Sequence, residues 1–411
     1  MYDWPRPHPL AARYLLACAM CVSLLGCGGS GDSAPGPSAP GLPSETLSTV
    51  GELGRQIFLD PSLSASGKMS CATCHDPSAG HAAPGSGSGN IGTPDGGTQL
   101  DVQGFRKAPS LRYLRFAPAF NFDAEGTPNG GFMRDGRFGS LAEQASKPFF
   151  EPHEMALADS AALAAKARVA PWAAAFRAQF GESVFDDPAR ALDRIAYALA
   201  AYQKEDPDFA RFDSKYDAFL AGKTKLSDSE MRGLALFNDP RKGNCAACHP
   251  ASTPANAPGP LFTDFSYDNL GVPRNPKIRA NADPNRFDLG LCGPFRADLT
   301  GRTDLCGAFK VPTLRNVALG GPYFHNGRFE TLKEVLRFYV RRDTNPEEWY
   351  PRLPDGSIDK FDDLPAAWKG NVNTSEAPYN RKPGDAPALN DAEIDDLIAF
   401  LNTLNDGWQQ K

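Results

Sequence analysis

Two segments of this chain repeat one arrangement of reactive side chains: Cys71-Ala72-Thr73-Cys74-His75 and Cys245-Ala246-Ala247-Cys248-His249. Two thiols separated by two residues can each form a thioether to one vinyl group of a haem, and the adjacent imidazole then lies under the iron as proximal ligand. Paired thiols also serve structural zinc and redox dithiols. A His directly after both pairs, and the long stretch of chain between them, speak against those alternatives. The expected cofactors are two covalently bound c-type haems, held by Cys71, Cys74, His75, Cys245, Cys248 and His249.

The elements that must position the motifs recur with them. Glu52-Leu-Gly-Arg-Gln-Ile-Phe58-Leu-Asp-Pro61 precedes the first, and Met231-Arg-Gly-Leu-Ala-Leu-Phe237-Asn-Asp-Pro240 precedes the second. Downstream, Ala108-Pro-Ser-Leu-Arg112 answers Val311-Pro-Thr-Leu-Arg315, and Asp135-Gly-Arg-Phe-Gly-Ser-Leu141 answers Asn326-Gly-Arg-Phe-Glu-Thr-Leu332. An ordered internal repeat of this kind predicts two related haem domains, residues 49–205 with the connecting helices and residues 206–411. Ser227 and Glu230 form a capping box ahead of Met231, Leu234 and Phe237 at helical spacing, and Asn390 with Glu393 opens a C-terminal helix carrying Ile394, Leu397, Ile398 and Leu401. The Ala-rich stretch from Ala156 to Tyr202 reads as two or three helices. No strand pattern of comparable length occurs, so the expected fold is mainly α, two cytochrome c-like domains with long loops and little β-structure.

The chain has 411 residues, 41% of them hydrophobic, with 39 Gly and 37 Pro, enough for two cores and much loop. Its net charge of −6 is scattered without a basic stripe, which argues against a nucleic-acid partner. Leu15 to Gly26 is an apolar run after Arg6 and Arg13, too short to span a bilayer and built like a signal-peptide core. It ends in Leu24-Leu25-Gly26-Cys27, similar to the bacterial lipobox; Cys18 has a comparable local pattern but little apolar core before it. Residues 1–26 are expected to be a lipoprotein signal peptide, Cys27 the lipidated anchor to the membrane, and residues 27–48 a Gly, Ser and Pro-rich flexible tether. Ordinary signal cleavage or a free Cys27 are the alternatives, and in every case the expected compartment is the periplasm. Of the nine Cys, Cys18 and Cys21 would leave with the signal, and Cys292 and Cys306 remain once the haem and lipid sites are assigned. In an oxidising compartment these two are expected to pair, closing the loop Gly293 to Leu305, rather than stay free.

Arg134-Asp-Gly-Arg137 followed by Leu141-Ala-Glu-Gln144, then Pro152-His-Glu-Met155, Lys310-Val-Pro-Thr-Leu-Arg-Asn316 and Pro322-Tyr-Phe-His-Asn-Gly-Arg328 join the two haem motifs in a recognisable order. With them, the chain from Ser48 to Leu404 resembles the bacterial di-haem cytochrome c peroxidase and MauG family. The resemblance implies that the N-terminal haem meets hydrogen peroxide and the C-terminal haem passes or stores electrons. Carried over by position, Glu154 matches the distal-pocket glutamate and Gln144 a pocket glutamine. A carboxylate there can move a proton from the near to the leaving oxygen of peroxide as the O–O bond breaks; without that context Glu154 would be a solvated helix-start carboxylate.

The second haem separates the branches of the family. Its peroxidases supply a Met sulfur fourteen residues after the His of the Pro-Tyr-Phe-His block; here that count from His325 reaches Tyr339, the MauG-like ligand, on an expected helix Leu332 to Tyr339. A phenolate stabilises ferric and higher iron states, whereas a thioether favours ferrous iron. The competing reading of Tyr339 is an ordinary packed aromatic. Arg134 replaces the Trp that relays electrons between the haems, leaving Phe132, Tyr323 or direct propionate contact as substitutes. Lys107 replaces the Asn of the family's calcium position, so calcium is in doubt even though the backbone carbonyls near Gly320 and Pro322 remain. No His occupies the loop that supplies a releasable distal ligand, so the first haem is expected to be five-coordinate. His81 could ligate that haem, although a His so near its own motif more often faces propionate or solvent; His153 is a further candidate for its pocket and His325 for the surroundings of the second haem.

The resemblance thus implies a periplasmic oxidase that uses hydrogen peroxide to form high-valent haem iron and oxidise an aromatic residue, Trp first, of a partner protein, akin to MauG-like enzymes linked to methanobactin and copper-protein maturation. Two other readings stand beside it. One is a cytochrome c peroxidase that reduces hydrogen peroxide with electrons from a small cytochrome or cupredoxin, and the other a non-catalytic di-haem electron carrier.

Overall fold

The computed structural model describes residues 46–83 and 91–410. The signal segment, Cys18, Cys21, Cys27 and the tether up to residue 45 lie outside the described residues. Among the described residues ten helices carry the fold: α1 (Thr49–Leu59), α2 (Cys71–Cys74), α3 (Leu141–Ala145), α4 (Ser160–Arg168), α5 (Ala173–Phe180), α6 (Pro188–Glu205), α7 (Lys215–Leu220), α8 (Asp228–Asn238), α9 (Leu332–Arg341) and α10 (Asp391–Asn402). Extended structure among the described residues amounts to two antiparallel pairs of two-residue strands, β1 (Asn121–Phe122) with β2 (Pro128–Asn129) and β3 (Tyr267–Asp268) with β4 (Phe309–Lys310). The expectation of a mainly α chain with little sheet holds, and the Ala-rich connection forms three helices, α4 to α6.

Local chemistry explains where these helices begin. Ser227 with Glu230, Thr331 with Glu334, and Asn390 with Glu393 form reciprocal capping boxes that satisfy the first free N–H groups of α8, α9 and α10. Ser48 accepts from the Gly51 N–H to start α1.

The two halves repeat one packing device. α1 crosses α6 and α8 crosses α10, and the equivalent glycines Gly54 and Gly233 lie at the crossings. A Cβ on Gly54 would overlap the Ala198 carbonyl oxygen, and one on Gly233 would overlap that of Asp396. One core gathers Leu53, Ile57, Phe58, Leu163, Phe176, Leu199 and Phe209, and the other Phe237, Phe262, Ile394, Leu397 and Phe400. Each such side chain contributes about 1.5–3 kcal/mol by leaving water. Met231, expected on the buried stripe of α8, is 44% exposed, because the face of α8 turned to α10 runs through Gly233 and Phe237.

The repeat also holds at the backbone. His81 and Phe262, Tyr113 and Asn316, and Met133 and Phe324 are three equivalent pairs, and all six residues are left-handed, with φ between 51° and 66°. Non-glycine residues there cost about 1–3 kcal/mol each, so their recurrence in both halves marks constrained positions. Between the halves, the N–H of Lys107 donates to the His325 carbonyl and the N–H of Lys310 to the Arg134 carbonyl, each at 2.8 Å. Cys292 and Cys306 are joined as a disulfide.

Candidate functional site

Each Cys-x-x-Cys-His motif follows one of the two equivalent helices, α1 or α8, and lies at the wall of a cavity. The first cavity, about 50 Å³, is lined by Cys71, Cys74, His75, Gln144, Glu154 and Gln203 among others. The second, about 460 Å³, is lined by Cys245, Cys248, His249 and Tyr339 and extends to Lys107, Arg134 and Lys310. The two thiol pairs therefore occupy separate sites, which removes a shared four-thiol zinc centre. Burial pushes Cys71, Cys74, Cys245 and Cys248 up to about 12, Glu154 adding to the effect on the first pair and Asp268 on Cys248.

Both imidazoles are prepared as ligands in one way. His75 Nδ1 bonds to the Pro109 carbonyl oxygen at 3.0 Å and His249 Nδ1 to the Phe262 carbonyl oxygen at 2.9 Å. An Nδ1–H donated to a carbonyl fixes the tautomer that leaves Nε2 with a free lone pair, the state a metal-binding imidazole requires. Burial lowers His249 and brings His75 down to about 4, which keeps both neutral. The donor set at both sites fits a haem with a proximal His, and the second cavity has room for a large flat ligand.

Glu154 and Gln144 come together at the first site. Glu154 follows a tight turn in which its N–H donates to the Glu151 carbonyl, and its own carbonyl accepts from Gly97. Burial, reinforced by Glu151 and opposed by Arg137, raises the Glu154 carboxyl to about 7. Gln144, on α3, donates from Nε2 to the Met133 Sδ at 3.8 Å. Gln203 on α6 was not foreseen: its Nε2 donates to the Leu199 carbonyl, while its buried Oε1 has no partner among the described residues. A Gln in the last turn of an Ala-rich helix carries no local signal of this place.

The other histidines separate. His81 is 1% exposed, its ring stacked on Phe209 at 4.0 Å and its Nε2 2.8 Å from Asp208 Oδ2, and its side chain lines neither cavity. Its carbonyl, equivalent to that of Phe262, is what approaches the His75 ring. His153 packs on Phe105 at 4.7 Å, with Nε2 3.7 Å from Glu154 Oε1. His325 stacks on Phe309 at 3.7 Å and lines the second cavity.

At the second site Tyr339, on α9, lines the cavity of Cys245, Cys248 and His249, and its hydroxyl makes no hydrogen bond among the described residues. Its ring lies 5.8 Å from Phe324 and 6.0 Å from Tyr379. Burial, with Cys248 and Asp268 nearby, holds its hydroxyl well above the ordinary range, as expected for a phenol without a cationic partner. Tyr323 and Gly320 line the same cavity. Phe132 is buried with Leu141 and Ala200, and Lys310 Nζ lies 5.8 Å from its ring.

A repeated fold with two such sites defines a di-haem redox enzyme. The chain belongs to the di-haem cytochrome c peroxidase and MauG family: the family model described as di-haem cytochrome c peroxidase matches residues 49–225. It is 37% identical over 357 residues to the methylamine utilization protein MauG of Paracoccus denitrificans, covering 86% of this chain and 88% of that one. It is 31% identical over 304 residues to the cytochrome c551 peroxidase of Nitrosomonas europaea, covering 73% and 76%. Among solved structures it is similar to the di-haem peroxidase BthA from Burkholderia thailandensis, with a TM-score of 0.80, 42% identity, and 89% and 88% of the two chains covered. The protein is a haem-dependent oxidoreductase that uses hydrogen peroxide.

Proposed function

We propose that this protein is a periplasmic di-haem oxidase that uses hydrogen peroxide to oxidise an aromatic residue, Trp first, of a partner protein. Each half, residues 49–205 and 206–411, acts as a cytochrome c-like domain, with thioethers to Cys71 and Cys74 or to Cys245 and Cys248 and with His75 or His249 as proximal ligand. The bound haems supply the redox chemistry. The observation that carries the reading is Tyr339, a half-buried residue at the cavity of the second motif whose hydroxyl makes no hydrogen bond among the described residues. Met133 also borders this cavity, but its sulfur already accepts from Gln144. A phenolate oxygen from Tyr339 suits an oxidised second centre better than an electron-accepting one.

At the first site, Glu154 accepts a proton from hydrogen peroxide on a carboxylate oxygen and returns it to the departing oxygen, which leaves as water. A carboxyl titrating near neutral pH suits both halves of that transfer. Gln144 positions peroxide beside it through its amide. Export and a lipid anchor at Cys27 complete the reading and rest on the N-terminal sequence alone.

The relative in Nitrosomonas europaea favours a second reading, a peroxidase supplied by a small redox protein. Mixing the oxidised holoprotein and peroxide with a reduced small cytochrome or cupredoxin separates the two. Slow consumption of the donor, together with oxidation of a partner-protein Trp seen by mass spectrometry, supports the oxidase; rapid donor turnover after partial reduction supports the peroxidase.

A further inference from the structure

Lys107 and Lys310 occupy equivalent places in the two repeats, each one residue ahead of the matched segments beginning at Ala108 and Val311. Each backbone is fixed by the opposite half, Lys107 by His325 and Lys310 by Arg134, and those two acceptors are themselves equivalent. Arg134 closes the arrangement, its Nε–H donating to the Lys107 carbonyl at 3.1 Å. All three cationic side chains line the cavity of Cys245, Cys248 and His249.

None of them has an anionic partner among the described residues. Among the described residues no carboxylate oxygen lies within 4.0 Å of Lys107 Nζ, Lys310 Nζ or the Arg134 guanidinium. The carboxylates of this region are already engaged, Asp288 by Arg106 and Asp135 by Arg106 and Arg137. Lys107 Nζ meets the Tyr323 ring, and Lys310 Nζ donates to the Gly131 carbonyl. Three cations gathered at one wall repel each other and lose hydration unless an anion joins them. Burial and the Arg134 charge bring Lys107 down to about 7, and burial brings Lys310 down to about 8. The carboxylates that do line the cavity, Asp268 and Glu376, bear on Cys248 instead.

The cavity is therefore divided between a thiol wall and a cationic wall. A c-type haem is divided in the same sense: its vinyl carbons become thioethers, and its two propionates project from another edge of the ring. We propose that Lys107 and Lys310, one from each repeat, form with Arg134 a carboxylate site that receives the propionates of the haem bound at Cys245 and Cys248, and that this site holds that haem's potential up. The proposal rests on the two-haem reading above. Positive charge at the propionates favours the ferrous state, so its removal moves the potential down.

The test uses the holoprotein and its Lys107→Gln, Lys310→Gln and Lys→Arg variants, with haem content read by intact mass and each midpoint potential by spectroelectrochemical titration. Each Gln variant that carries two haems is expected to show a lower potential for the second haem, with the double variant lower still and the Arg variants close to wild type. Loss of the Gly131 contact leaves Lys310→Gln open to misfolding, so Lys107→Gln decides. An unchanged or raised second-haem potential in Lys107→Gln with both haems attached overturns the proposal. A wild-type mass without two haems would instead overturn the reading beneath it.

Discussion

His81 and Phe262 occupy one position in the two halves: both are left-handed, and the carbonyl of each accepts an N–H from an equivalent leucine, Leu111 or Leu314. The same carbonyls approach the rings of His75 and His249. What this position contributes to the site is a backbone oxygen. His81→Phe is therefore expected to leave the absorption and paramagnetic resonance spectra of the first haem unchanged, while stability falls by about 1–2 kcal/mol with the buried bond to Asp208. A changed ligand field in that variant would restore His81 as a ligand.

Gly233 lets α8 approach the Asp396 carbonyl, as Gly54 does for α1 and Ala198. Replacing either by Ala forces the helices apart although Ala is the better helix former. A loss of about 1–3 kcal/mol is expected in denaturant unfolding. Unchanged or increased stability would show that the crossings tolerate a Cβ.

If Tyr339 ligates the second haem as proposed, Tyr339→Met exchanges a hard anionic donor for a thioether. The second haem's potential is expected to rise, with loss of the stored oxidising equivalents after peroxide addition. If spectrum and potential stay as in wild type, Tyr339 is a packing residue.

Calcium has an unfavourable place here. A Cβ on Gly92 would lie 2.7 Å from the Pro322 ring and 3.1 Å from Lys107 Cγ, so the Lys107 stem runs beside the loop whose carbonyls would bind the ion. An ammonium repels a divalent cation at such range. Treatment with a calcium chelator is expected to leave the spectrum and the peroxide rate unchanged; a loss beyond about twofold, restored by calcium, would establish the ion.

The haem motifs, the capping boxes at Ser227 and Asn390 and the repeat itself were legible in the chain because each is a signal between near neighbours. Glu154, Gln144 and Tyr339 were reached only through family resemblance. Gln203 was not reached, because its place depends on how α6 crosses the first cavity. The pairing of Lys107 with Lys310 stayed hidden for the same reason: each lysine meets the opposite half through a loop contact between residues far apart in the chain, Lys107 with His325 and Lys310 with Arg134. The place of the His81 ring was not legible either, because it depends on a left-handed backbone that turns the ring toward Phe209 and Asp208.

Peroxide reactivity at the first haem tests the proposed chemistry most directly. Glu154 must be ionised to take the first proton, and its carboxyl is raised to about 7, chiefly by burial; the wild-type rate should therefore rise with pH through about 7 and level off above it. In stopped-flow mixing of the oxidised holoprotein with hydrogen peroxide, Glu154→Gln is expected to keep both haems, slow the reaction on the order of a hundredfold and lose that rise. A wild-type rate with the pH dependence intact would place the proton-transferring group elsewhere.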